Sequence, residues 1–136
     1  MSVVVAYSAS PTGEAAIEAA IEEAKRRNVG LRIVHVAKVG ARQETFSSMQ
    51  SHGVALEHHA ERARVAGVEG VSADEVRSAK DISDTLLAYL AEHEATILVI
   101  GIRRRSPVGK AVLGSVSQDM MLRADCPVLG VKDAEH

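Results

Sequence analysis

The chain has 136 residues, 16 basic and 18 acidic, for a formal charge of −2, so one domain over residues 1–136 is expected, with no overall field to draw nucleic acid or an anionic membrane. Its Phe and Tyr residues are Phe46, Tyr7 and Tyr89, too few for the stacking surfaces that bind single-stranded nucleic acid. A lone cysteine, Cys126, rules out an internal disulfide and a cysteine-rich metal cluster.

Short runs rich in Val and Ile alternate with longer amphipathic stretches, the pattern of βαβ units around a mostly parallel sheet, and so of the α/β class. Met1-Ser2 leads directly into Val3-Val4-Val5 with no secretory pattern, and no apolar run nears the roughly 20 residues of a membrane span, so a cytoplasmic protein is expected. The first strand is predicted at Ser2 to Tyr7. Thr12 to Arg27 follows as a helix, with Ile17, Ala20, Ile21 and Ala24 at core spacing and Glu22/Arg26 and Glu23/Arg27 paired on the wet side. Asn28 and Gly30 supply its stop, and Gly30 to Ala37 reads as the second strand.

Lys38 to Met49, with Gly40, Phe46, Ser47 and Ser48, reads as a surface excursion. A helix from near Ser51 to Ala66 carries His52, His58 and His59, for which no carboxylate stands at a known ligand spacing; a solvated helix face is expected, and no structural metal. The third strand, around Val71 to Arg77, is weakly apolar and predicted at a sheet edge, and a helix follows from Asp81 to Glu92. Thr96-Ile97-Leu98-Val99-Ile100 is continuously apolar, as a strand buried on both faces should be. A helix over Ser115 to Arg123 and a strand over Pro127 to Lys132 end the pattern. Cys126, just before Pro127, reads as a small buried thiol with nothing to indicate a redox role; Tyr7, ending the first strand, suits either the core or a crevice.

The chemistry concentrates in Gly101 to Ser117, which joins the most buried strand to a helix through Gly101, Gly109 and Gly114 and carries Arg103, Arg104, Arg105 and Lys110. Glycines let backbone amides approach a ligand, and the following helix start offers free N–H groups and a positive dipole end. Ser115 and Ser117 can cap that helix or donate to phosphate oxygens. The same pattern also suits a plain turn with a capped helix. It is neither a Walker A loop nor a Rossmann fingerprint.

A hydrophobic strand, then G-x2-G-x9-G-[ST], then a short helix ending in (A/D)-C-P-V before a final apolar strand, resembles the C-terminal signature of the universal stress protein family. It reads here as Val99-Ile100-Gly101 through Gly114-Ser115, followed by Ala124-Asp125-Cys126-Pro127-Val128, with His35-Val36 fitting the end of the second strand. The resemblance implies a three-layer, doubly wound α/β/α domain of the adenine nucleotide alpha hydrolase type, with five parallel strands in the order 3-2-1-4-5. Its crevice would lie between the C-terminal ends of the first and fourth strands. It further implies ATP or another adenine nucleotide, with base and ribose on Ser8 and Val36 and phosphates on Gly101, Arg104, Gly109, Gly114, Ser115, Val116 and Ser117. Relatives pair through the last strand, which implies a homodimer through Val128 to Val131.

The chain departs from the family pattern twice. Ser8 stands where ATP-binding relatives carry an aspartate, and Arg104 stands at the motif's second glycine. An arginine there either pairs with phosphates or plugs their place, and its neighbours Arg103 and Arg105 favour the outward, phosphate-facing course. Two other functions follow from the same residues: a dimeric interaction module without nucleotide, and, more weakly, an ATP-cleaving enzyme. The second would want S-G-G-x-D-S after the first strand, which Ser8-Ala9-Ser10 does not match, so no catalysis is expected.

Overall fold

The computed structural model describes residues 1–40, 46–103 and 113–133, and the side chains of all of these except 46–50. Arg104, Gly109, Arg105 and Lys110 lie outside the described residues. The elements run β1 (Ser2–Ala6), α1 (Pro11–Arg27), β2 (Gly30–Lys38), α2 (Phe46–Val65), β3 (Val71–Ser78), α3 (Ile82–Glu92), β4 (Ala95–Gly101), α4 (Ser115–Arg123) and β5 (Val128–Val131). All pairings are parallel and the strand order is β3-β2-β1-β4-β5. The sequence pattern is thus borne out in element order, in β3 lying at an edge, and in the topology the resemblance implied.

Residue alternation along the strands divides the core in two, because successive side chains point to opposite faces. Val3, Val5, Leu31, Ile33 and Val99 pack under α1 and α2 against Ile17, Ala20, Leu56 and Ala60. Val4, Val34, Leu98 and Ile100 pack on the other side against Leu86 and Leu90 of α3 and Met120 of α4. Val3, Val4 and Val5 are fully buried because β1 sits mid-sheet with helices over both faces. Tyr7 joins the core beneath α1 and α2.

Three expectations need correction. α2 begins at Phe46, five residues before the predicted start near Ser51, so the excursion after β2 is shorter than its composition suggested. Arg26 and Arg27 both pair with Glu23, at 3.2 and 3.0 Å, while Glu22 reaches Lys25; the expected Glu22/Arg26 pair does not form because Glu23 is held between the two arginines. His59, placed by sequence on a solvated face, is 3% exposed. Helix α1 ends as expected, with Asn28 left-handed at φ 56° and its N–H donating to the carbonyls of Ala24 and Lys25.

Candidate functional site

The connections leaving β1 and β4 diverge, since β1 leads toward β2 on one side and β4 toward β5 on the other. Such a reversal opens a crevice at the C-terminal ends of the two strands. Ser8 to Ser10 leave β1 on one wall. Ser10 is the N-cap of α1: its hydroxyl accepts from the Gly13 amide at 3.1 Å, and Pro11 occupies the first turn, where its missing N–H costs nothing. The Ser8 hydroxyl lies 3.1 Å from that of Ser10, and the Ser10 amide donates to the Ser8 carbonyl at 2.9 Å. Ser8 is exposed at the mouth.

Two glycines fix this loop. A Cβ on Gly13 would stand 1.7 Å from the Ser8 carbonyl oxygen, and one on Gly101 would stand 2.7 Å from the Thr12 carbonyl oxygen. The end of β4 therefore abuts the start of α1 and closes the floor of the crevice. What a side chain at Gly101 would strike is protein, so this glycine is required by packing whatever the crevice holds. Sequence reasoning singled out neither Gly13 nor Thr12. The spacing Ser10-x-x-Gly13 marks a helix cap but not the need for glycine, since the amide that the cap accepts from is backbone and the clash with Ser8 arises only in the folded loop.

The opposite wall is the start of α4. Its N-cap is Gly114, with φ −63° and ψ 157°, and among the described residues no side chain caps the helix. Ser115 is thus the first helical residue and neither it nor Ser117 caps, which corrects one of the roles given them by sequence. A Cβ on Gly114 would meet nothing within 4 Å among the described residues. The helix is held from behind. Buried Ser83 of α3 donates to Asp119 at 2.6 Å, Arg123 donates to Asp84 at 2.9 Å, and Met120 is fully buried. Val116 and Val36 are half-buried and pack on the α3/α4 side of the sheet. A broad open depression of about 1130 Å³ lies at the other end of the sheet, around Met1, Gly30, Glu69 and Gly70. It gathers backbone and exposed side chains at strand N-termini, whereas the divergent connections and the uncapped helix lie at the C-terminal ends.

Under α2, His59 donates from Nε2 to Glu14 at 2.8 Å, and Arg62 donates to its Nδ1 at 3.0 Å. Guanidinium has no acceptor, so Nδ1 must keep its lone pair and the ring is neutral. Burial accordingly lowers the His59 pKa below 6.5, helped by Arg62 and His58 and opposed by Glu14. The unfolded chain then binds the proton more readily than the folded one. Stability should be full above about pH 6.5 and fall as the pH drops from there through the lower folded-state value. Denaturant midpoints measured across this range check it, and His59→Gln should flatten the decline. Elsewhere, Tyr89 donates to Asp74 at 2.7 Å and burial pushes its hydroxyl to about 12. Cys126 is half-buried rather than buried as expected, because it lies at the open N-terminal end of the edge strand β5, and what burial it has raises its thiol pKa.

Residues 1–132 match the model of the universal stress protein family. A universal stress protein from Mycolicibacterium smegmatis is 39% identical over 141 residues, which covers 96% of each chain. Among solved structures, a universal stress protein from Archaeoglobus fulgidus superposes with a TM-score of 0.84 at 30% identity, over 97% of this chain and 98% of that one. Another, from the same organism and in complex with dAMP, has a TM-score of 0.76 at 26% identity with the same coverage.

Proposed function

Because the chain belongs to the universal stress protein family, we propose that it is a cytoplasmic stress-response protein that binds an adenine nucleotide as a homodimer and turns over no substrate. The observation that carries this reading is the start of α4, where Gly114 caps the helix without a side chain and faces open space among the described residues. Such a terminus offers several N–H donors and the positive dipole end to an anion. The relative in complex with dAMP supports an adenine nucleotide as that anion.

In this reading Ser8 and Val36 take the base and ribose, and Gly114, Ser115, Val116 and Ser117 take phosphate, with Gly101 at the floor. Arg104 and Gly109 would add to the phosphate end from the connecting segment. A serine hydroxyl accepts less strongly than the carboxylate it replaces, so the phosphate end supplies most of the affinity. Mass spectrometry of purified, denatured protein should release an adenine nucleotide. Protein that carries none, and that gives no heat when titrated with ATP or dAMP, overturns the assignment. Sustained ATP cleavage with pyrophosphate release would instead make the chain an enzyme.

One observation favours a second reading, an interaction module without nucleotide. β5 lies at a sheet edge, and Met121 and Leu122 of the neighbouring α4 are 43% and 84% exposed. Unpaired edge amides beside apolar side chains invite a second strand, and a two-fold axis would set β5 against its own copy. Leu129→Lys should raise the monomer fraction in sedimentation. A natural chain that already sediments as a monomer rules out the dimer in either reading.

A further inference from the structure

On the face of the sheet covered by α2, three metal-ligating side chains come together from three elements. His35 of β2 and Glu75 of β3 are direct register partners on adjacent parallel strands, so their side chains leave the same face side by side. His52 of α2 comes down on them: its ring centroid is 4.3 Å from that of His35, with the planes inclined by 46°. One ligand atom from each of the three lies within 4.8 Å of the others, and all three residues are half-buried. The His35 Nδ1 is itself buried and has no hydrogen-bond partner among the described residues, an unsettled position for a polar atom inside a protein.

We propose that His35, His52 and Glu75 form a binding site for a late first-row divalent cation of the Zn²⁺ type, with water completing the coordination. Two imidazoles and one carboxylate are the three-ligand set of an open zinc site, whose fourth position stays free. Imidazole ligands favour zinc, nickel or copper over the all-oxygen sites that magnesium and calcium prefer. Bonds of about 2.0 to 2.2 Å require tetrahedral ligand atoms to stand roughly 3.4 Å apart. The three side chains therefore need to close by up to about 1.4 Å, within reach of χ rotations at half-buried positions.

The site lies on the α2 side of the sheet, while Val36, the next residue of β2, turns toward the α3/α4 side. It is therefore separate from the proposed nucleotide contacts and does not depend on them.

The test is calorimetric titration of the full chain, stripped of nucleotide, with ZnCl₂ in a non-coordinating buffer, and with Co²⁺ to read the visible spectrum of the bound ion. One ion per chain is expected, with the absorption of a four-coordinate cobalt centre. Disturbing an outer partner of a metal site costs roughly 10- to 100-fold in affinity, so removal of a direct ligand should cost more than roughly 100-fold. Glu75→Gln and His52→Ala should each show that loss, while His58→Ala, on the exposed side of α2, should bind as the natural chain does. Glu75→Gln preserves side-chain size and keeps the test informative should His52→Ala fold poorly. Absence of binding to the natural chain, or equal binding by the Glu75→Gln and natural chains, overturns the proposal.

Discussion

Gly13→Ala should destabilise the protein by about 3 kcal/mol or more, at or above the upper end of the usual cost of overpacking, and lower its melting temperature by about 10 °C. The added Cβ would stand 1.7 Å from the Ser8 carbonyl oxygen, which is backbone and cannot swing away. Relief requires that Ser8 to Ser10 move off the start of α1. That movement would also strain the cap bond from the Gly13 amide to the Ser10 hydroxyl, so one substitution disturbs both the helix start and one wall of the crevice. Gly53→Ala provides the contrast. Gly53 lies within α2, where an added methyl would meet nothing within 4 Å among the described residues, and the change should stabilise by roughly 0.5 to 1 kcal/mol through helix propensity. Thermal unfolding of the two variants beside the natural chain measures both. A Gly13→Ala protein that melts with the natural one would show that the loop has another course.

Gly114→Val should abolish adenine-nucleotide binding, a loss of at least roughly 100-fold, or about 2.7 kcal/mol, with little effect on the fold. The backbone at Gly114, φ −63° and ψ 157°, is open to any L-residue, and its side chain would enter space that is empty of described protein atoms. Valine is a poorer N-cap than glycine, which should cost only about 0.5 to 1 kcal/mol of stability. The valine methyls would instead occupy the approach to the first N–H groups of α4, where phosphate is proposed to sit. Calorimetry with ATP and with dAMP, beside a melting curve, separates the two effects. Undiminished affinity in a stable Gly114→Val protein would remove α4 from the site, and with it the chief support for the nucleotide reading.

These two glycines show how differently the site was written in the sequence. Gly114 is marked in the sequence because it belongs to a run, strand to glycines to helix, and the role proposed for it rests on the backbone of one continuous segment. Gly13 was not singled out, since its role comes from the distance between the first turn of α1 and the end of β1, which only the folded loop sets. Gly101 was found for its place in the motif, but the structure gives it a different neighbour, Thr12, across the strand order. The sequence allows Ser115 either to cap α4 or to donate to phosphate, and it is the first helical residue rather than the cap, because cap positions turn on one residue's dihedral angles and composition does not fix those.

The α/β class and the order of the nine elements among the described residues were legible from residue order. Periodicity along one strand or helix records which face is buried, and that information is local. What the histidines do was not legible, and emerged from the packed fold. His59 is buried because α2 crosses α1 at Glu14, and His35 meets His52 and Glu75 because the β2/β3 register sets residue 35 beside residue 75 while α2 folds over both. Contacts of this kind depend on strand register and helix crossing, which arise from the packing of the whole core and leave no fixed spacing along the chain.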